Sequence, residues 1–145
     1  MTTYSNFQRS DSRPDSPPPA LNASDIRFTA PVSPQLFADI AEAKAKAVAQ
    51  GSRDANKSTQ LRRFYDELVM WQEKVGNSDE RFNDLAPYIY MLKAKVAYAK
   101  GRKHVDDNFE TLFRHVIDQA TDAATLRHAK LFMEAFMAFY KVHNK

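Results

Sequence analysis

Two adjacent arginines, Arg62 and Arg63, stand at the start of a predicted helix. Cations in a first turn oppose the positive end of the helix dipole, which costs about 0.3–1 kcal/mol each when they are exposed. One explanation is structural, because each arginine has a carboxylate four residues further on, Asp66 for Arg62 and Glu67 for Arg63. The other explanation is functional: both guanidinium groups and the free backbone N–H groups of the first turn bind a phosphate together.

A second basic group lies on the third predicted helix, whose back face carries Met91, Lys95, Tyr98 and Arg102 at helical spacing. Its members are Lys93, Lys95, Lys100, Arg102 and Lys103. Along the chain no acid follows them before Asp106. Charge runs are usually solvated, but tyrosine beside unpaired basic side chains also suits a nucleic-acid surface. The candidate nucleic-acid-binding residues are therefore Lys57, Arg62, Arg63, Lys93, Lys95, Tyr98, Lys100 and Arg102.

Residues that could support catalysis or bind a metal form no recognisable motif. The three glycines are isolated, so they make no phosphate-binding loop, and without cysteine there is neither a thiolate ligand nor a thiol nucleophile. The four histidines lack the spacing of zinc ligands, and we interpret His115 and His128 as surface residues. The sequence predicts that the protein is not an enzyme and has no metal or cofactor.

The apolar spacing predicts about five helices over residues 33–145 and no strand, which indicates a single all-α bundle. Pro87 is tolerated only in a first turn, so the third helix is expected to start just before it. The predicted caps are Ser33 for the first helix, Asn56 or Ser58 for the second, Asn83 or Asp84 for the third, Asp106, Asp107 or Asn108 for the fourth, and Asp122 for the fifth.

The last predicted helix is apolar over more than half of its circumference. Its residues Phe132, Phe136 and Phe139 are candidates for a contact with another subunit, and burial in the core is the alternative. Both interpretations account for a helix with so narrow a polar face.

Residues 1–32 differ in composition from the rest of the chain. They are rich in proline and serine and carry little apolar surface to offset the entropy cost of ordering. We therefore predict a disordered or extended arm over residues 1–32 and a helical domain over residues 33–145. Ile26, Phe28 and Val32 could dock as a short extended segment near the end of the arm.

The overall charge and hydropathy set broad limits on function. A net charge of +3 and a pI near 9.1 permit nucleic-acid binding without requiring it. The chain shows no secretory signal pattern and no apolar run long enough for a membrane span. We expect a cytoplasmic protein without a membrane partner.

Two runs of the sequence resemble one known family. Residues 59–67, TQLRRFYDE, resemble the opening of a long helix in the small subunit of type III-A CRISPR effector complexes, the Csm complexes. Residues 92–102, LKAKVAYAKGR, are similar to a later block of that family, an apolar helix that ends in tyrosine followed by Gly-Arg. The resemblance is firm over about residues 57–102 and looser through the last two helices, where only helicity and the apolar pattern match. It does not include the proline-rich arm.

This resemblance implies a helical, non-catalytic subunit that stacks in several copies as the inner filament of an antiviral ribonucleoprotein. Its partners would be target RNA and guide RNA, the backbone subunits, the large subunit and copies of itself. The basic residues named above would contact phosphates, mainly of the target strand, without reading bases. The alternative is a helical protein-interaction module that dimerises through its last helix and binds no nucleic acid.

Overall fold

A computed structural model of the protein describes residues 18–51 and 54–144. Its elements are a one-turn π-helix Leu36–Ile40 that continues as α1 Ala41–Ala49, then α2 Ser58–Val75, α3 Asp79–Gly101, α4 Asp107–Asp118 and α5 Ala123–His143. No strand occurs in these two ranges, and the predicted all-α bundle of five helices is confirmed. Within the same ranges, no helix has the length and apolarity that a membrane crossing requires.

The last helix lies at the centre of the bundle. α5 packs on α1 and α2, and α3 packs on α4 and α2. The rings of Phe109, Phe136 and Tyr140 follow one another through the core, with centroids 6.2 Å and 5.7 Å apart. Burying each such side chain contributes about 1.5–3 kcal/mol, which explains why α5 is apolar around most of its circumference.

This packing decides between the two interpretations of the α5 phenylalanines. Phe132 and Phe136 have no exposed surface, so neither ring can contact another subunit in this fold, and core burial accounts for both. Phe139 is partly buried and packs at the edge of the core.

The caps of α4 and α5 lie where they were predicted. The Asp106 carboxylate accepts a hydrogen bond from the Phe109 N–H at 3.0 Å. Asp122 and Thr125 form a capping box, in which each side chain accepts from the other residue's backbone N–H. Hydrogen bonds from Thr125 lower the pKa of the Asp122 carboxyl because they favour its charged form.

Neither residue predicted to cap α2 does so. Lys57 occupies the cap position, and no side chain caps the first turn. Asn56 is buried in a left-handed conformation with φ of 60°. Its side-chain oxygen accepts from the Asp106 N–H at 2.9 Å, and its carbonyl accepts from the Tyr140 hydroxyl. Asn56 therefore links the start of α2 to α4 and α5.

The third helix begins at Asp79, before the predicted caps Asn83 and Asp84. Pro87 therefore lies inside the helix and not in its first turn. Ser78 caps α3 and accepts from the Arg81 N–H at 3.1 Å. Pro87 and Asn83 are both exposed. Water can therefore satisfy the Asn83 carbonyl that proline leaves without a donor, which makes an interior proline tolerable here.

The first helix begins at Leu36 and not at Ser33 and Pro34. The Ser33 hydroxyl accepts from the Gln35 N–H at 3.2 Å, only two residues further on. This short-range bond closes a turn, so it competes with the cap that the sequence predicted.

Residues 18–32, which we call the strap, pack on the bundle without regular secondary structure. Ile26 and Phe28 have no exposed surface, and the Phe28 ring lies 5.8 Å from that of Phe132. Val32 is partly buried, as the predicted docking of these three residues requires. The strap is thus part of the core, which begins before residue 33. Of the two states predicted for the arm, disordered or extended, disorder does not describe the strap. The expectation for residues 1–17 lies outside the described residues.

Three polar side chains of the bundle hold the main chain of the strap. Asn108 is buried, donates to the Pro19 carbonyl at 2.9 Å and accepts from the Leu21 N–H at 3.0 Å. His115 donates from Nε2 to the Ile26 carbonyl, and His128 donates from Nδ1 to the Phe28 carbonyl, each at 2.8 Å. The two histidines are therefore half-buried anchors of the strap, and the surface role predicted for them is wrong.

Candidate nucleic-acid interface

The exposed face of α3 carries an unusual set of side chains. Ile89, Leu92 and Val96 are buried on the inner face, as their spacing predicts. On the outer side Tyr88, Met91 and Tyr98 remain 56%, 54% and 65% exposed. Together with Lys95 and Arg102 these residues recur every three or four positions, so they form one line along the helix. We call Tyr88, Met91, Lys95, Tyr98 and Arg102 the α3 stripe.

α2 runs antiparallel to α3 beside this stripe. The Trp71 ring stacks on Tyr88 with centroids 6.0 Å apart and planes 13° apart. Four residues nearer the start of α2, the Glu67 carboxylate pairs with Lys95 at 2.7 Å. Arg63 precedes Glu67 by one further turn on the same side of α2. By this register, the continuation of α2 towards its start directs Arg63 towards the end of the stripe that carries Tyr98 and Arg102.

Two of the predicted cations face α4 and have partners there. Lys93 Nζ lies 2.5 Å from the Asp118 carboxylate, and Lys100 Nζ lies 3.0 Å from that of Asp107. The hydrogen bond to Asp107 raises the pKa of Lys100. No acid lies near these lysines along the chain, but the fold places a carboxylate of α4 beside each of them. A phosphate would therefore have to compete with that carboxylate for either lysine.

Other cations on this side of the molecule keep their charge available. Arg102 donates from Nη1 to the Tyr98 hydroxyl at 2.9 Å, and its guanidinium lies 5.8 Å from the centre of the Tyr98 ring. Lys57, Arg63 and Arg102 are exposed, and none of them pairs with an acid among residues 18–51 and 54–144. Unpaired guanidinium groups are strong donors to phosphate oxygens.

Arg62 and Arg63 have different surroundings. Arg62 lines an open cleft of about 510 Å³ between the first turn of α2 and the end of α5, together with Glu134 and Lys141. Its predicted pairing with Asp66 exists at 4.0 Å between two exposed side chains, a geometry that contributes little. The predicted Arg63 pair is not formed, since Glu67 binds Lys95. Adjacent residues on a helix point about 100° apart, so the two arginines serve different surfaces.

A comparison with known proteins places the chain in a family. No curated protein and no solved structure matches it. The family model described as Csm2 Type III-A matches residues 33–145. The chain belongs to this Csm2 family. It is a small subunit of a type III-A CRISPR complex and assembles with the other subunits of that complex. The match excludes the strap, although the strap packs in the same core as the Csm2 helices.

Sequence reasoning missed two aromatic residues of this interface. Tyr88 lies three residues before Met91 on the same stripe, but the predicted helix start near Pro87 hid that continuation. Trp71 lies on the side of α2 next to α3, where its ring is partly exposed and stacks on Tyr88. Extending the spacing of the α3 stripe by one turn towards its start would have found Tyr88.

Proposed function

We propose that this Csm2-family subunit is non-catalytic and holds target RNA, in the complex with guide RNA, by sequence-independent contacts to the backbone. In this role it stacks with copies of itself as an inner filament beside the backbone and large subunits. The observation that supports the proposal is the basic end of the α3 stripe. There Arg102 contacts Tyr98, and the register of α2 against α3 directs Arg63 towards the same end. Neither arginine pairs with an acid among the described residues.

The pairing of each cation ranks its expected contribution. A phosphate gains most from a cation whose charge no carboxylate already compensates, so Arg63 and Arg102 should contribute more than Lys93 and Lys100. Lys95 belongs with Lys93 and Lys100, because Glu67 must likewise be displaced or shared. Backbone contacts carry no sequence information, which suits a subunit that must serve any guide.

The test is the salt dependence of target RNA retention in the assembled complex. The double variant Arg63→Ala/Arg102→Ala should weaken retention and lower the slope of log K against log salt by about two, one for each lost phosphate contact. The matched control is Arg27→Ala/Lys46→Ala, which removes two exposed cations that lie outside α2 and α3 and also have no acid partner among the described residues. It should leave the slope unchanged. An unchanged slope in the stripe variant, with helical circular dichroism intact, would refute phosphate binding at this site.

The alternative function, a dimerisation module that binds no nucleic acid, draws on the same surface. Tyr88, Met91 and Tyr98 expose apolar area that a second protein surface could cover. Phe132 and Phe136 are excluded from such a contact by their burial, which leaves Phe139 as the candidate on α5. Added salt separates the two functions, since it weakens phosphate binding steeply but does not weaken an apolar dimer.

A further inference from the structure

The two tyrosines of the α3 stripe are held in place by their own chain. Tyr88 stacks on Trp71, and the Tyr98 ring lies against the guanidinium of Arg102, which also binds its hydroxyl. Both rings nevertheless remain more than half exposed. A ring that is already held by a contact within its own chain loses little conformational freedom when a planar group stacks on its open face.

We propose that Tyr88 and Tyr98 stack on unpaired nucleobases of the RNA strand whose phosphates bind at Arg63 and Arg102. This inference rests on the proposed function and narrows it, because it restricts the α3 stripe to nucleotides of that strand that are not paired with the guide. Bases inside an A-form duplex already stack on their neighbours and present no open face. Stacking on an aromatic side chain contributes about 1–3 kcal/mol per base and tolerates any base, so it adds affinity without sequence preference.

The spacing of the stripe fits a short stretch of one strand. Tyr88 and Tyr98 are ten residues apart on one helix, which corresponds to about 15 Å along its axis. A strand stacked at about 3.4 Å per nucleotide covers that length with about four or five nucleotides. Lys95 and Met91 lie between the two rings, so the whole length of the strand meets either an apolar or a cationic side chain.

The charge at the stripe favours RNA over a protein as the occupant. An apolar protein surface placed on Tyr98 would also cover Arg63 and Arg102, which have no acid partner in the described part of the chain. Burying unpaired cations carries a large desolvation cost. An RNA strand avoids this cost, since its phosphates neutralise the guanidinium groups while its bases cover the rings.

The test compares RNA ligands whose bases are unpaired, absent or paired. The full chain is titrated with a short oligouridine, an abasic strand with the same number of phosphates, and a blunt RNA duplex. We expect oligouridine to bind at least about ten-fold more tightly than the abasic strand. Tyr88→Ala and Tyr98→Ala should each remove about ten-fold of that affinity. Tyr88→Ala should leave the abasic strand unaffected, and Tyr98→Ala should bind it as Tyr98→Phe does, since both lack the hydroxyl that contacts Arg102. The phenylalanine variants should retain oligouridine binding, and Val142→Ala, which truncates an exposed apolar residue on α5, is the control.

The outcomes separate this inference from the proposed function. Equal affinity for oligouridine and the abasic strand, with steep salt dependence for both, overturns stacking but leaves phosphate binding in place. The same titrations with the assembled complex and single abasic sites in the target strand provide the second measurement. If the effect of an abasic site in the assembled complex does not change with Tyr88→Ala or Tyr98→Ala at any position of the target strand, stacking is also overturned. If no RNA binds and the protein forms a dimer that Tyr88→Ala dissociates, both stacking and phosphate binding are overturned. The α3 stripe is then a protein contact.

Discussion

Asn56 shows how a single side chain can connect several helices. Its backbone N–H donates to the His104 carbonyl at 2.9 Å, its side chain accepts from Asp106, and its carbonyl accepts from Tyr140. Each of these groups would otherwise be a buried polar group without a partner, at a cost of about 1–3 kcal/mol. The Tyr140 hydroxyl is thus buried and hydrogen-bonded to the Asn56 carbonyl. This environment determines how the phenol titrates.

Burial raises the pKa of Tyr140 to about 12, and the nearby Asp106 adds to the shift. Since the ordinary value is 10.0, the folded state holds the phenol proton more tightly than the unfolded state does. This contribution to stability is present below pH 10 and is lost as the pH rises from about 10 to 12. We therefore expect the urea midpoint to fall across this window.

Two variants test the assignment to Tyr140. Tyr140→Phe cannot ionise, so it should lower stability at neutral pH but lose part of the fall above pH 10. Burial also raises the pKa of Tyr65 and Tyr90, so some of the fall should remain. The exposed Tyr98→Phe is the control and should keep the full fall. An identical fall in Tyr140→Phe would show that this phenol does not titrate with folding.

At the scale of one element, α3 tolerates proline in its interior at a cost. Pro87 cannot donate to the Asn83 carbonyl, and an interior proline costs about 3 kcal/mol relative to alanine. Because Pro87 is exposed and has no buried ring to lose, Pro87→Ala should stabilise the protein by about 1–3 kcal/mol, measured by urea denaturation. Ala94→Pro, at another exposed position of α3, should destabilise by about 3 kcal/mol or more. A destabilised Pro87→Ala variant would mean that the packing of α3 depends on the backbone geometry that the proline imposes.

At the scale of the whole molecule, the strap belongs to the core although it lies outside the family match. Phe28 is fully buried beside Phe132, so Phe28→Ala should destabilise the protein by about 3–5 kcal/mol. Arg27→Ala changes the exposed residue next to it and should alter stability by less than about 0.5 kcal/mol. Equal urea midpoints for these two variants would show that the strap does not contribute to folding.

The sequence determined the features of this protein that depend on near neighbours in the chain. The period of apolar residues in α4 and the caps at Asp106 and Asp122 are set by contacts within a few residues, so they were predicted correctly. The runs at residues 59–67 and 92–102 indicated the family for the same reason, because a motif is itself a local pattern. Pro87 was misread because local rules do not say whether a position faces water.

Only the tertiary structure decided which charges are free and which apolar residues are covered. Lys93 and Lys95 meet carboxylates 25 and 28 residues away, and Phe28 reaches a ring on α5. Contacts of this kind depend on how the helices cross, and no periodicity along the chain encodes the crossing. Coulomb attraction falls with the distance through space, so the charge available to a phosphate is known only once the helices have packed.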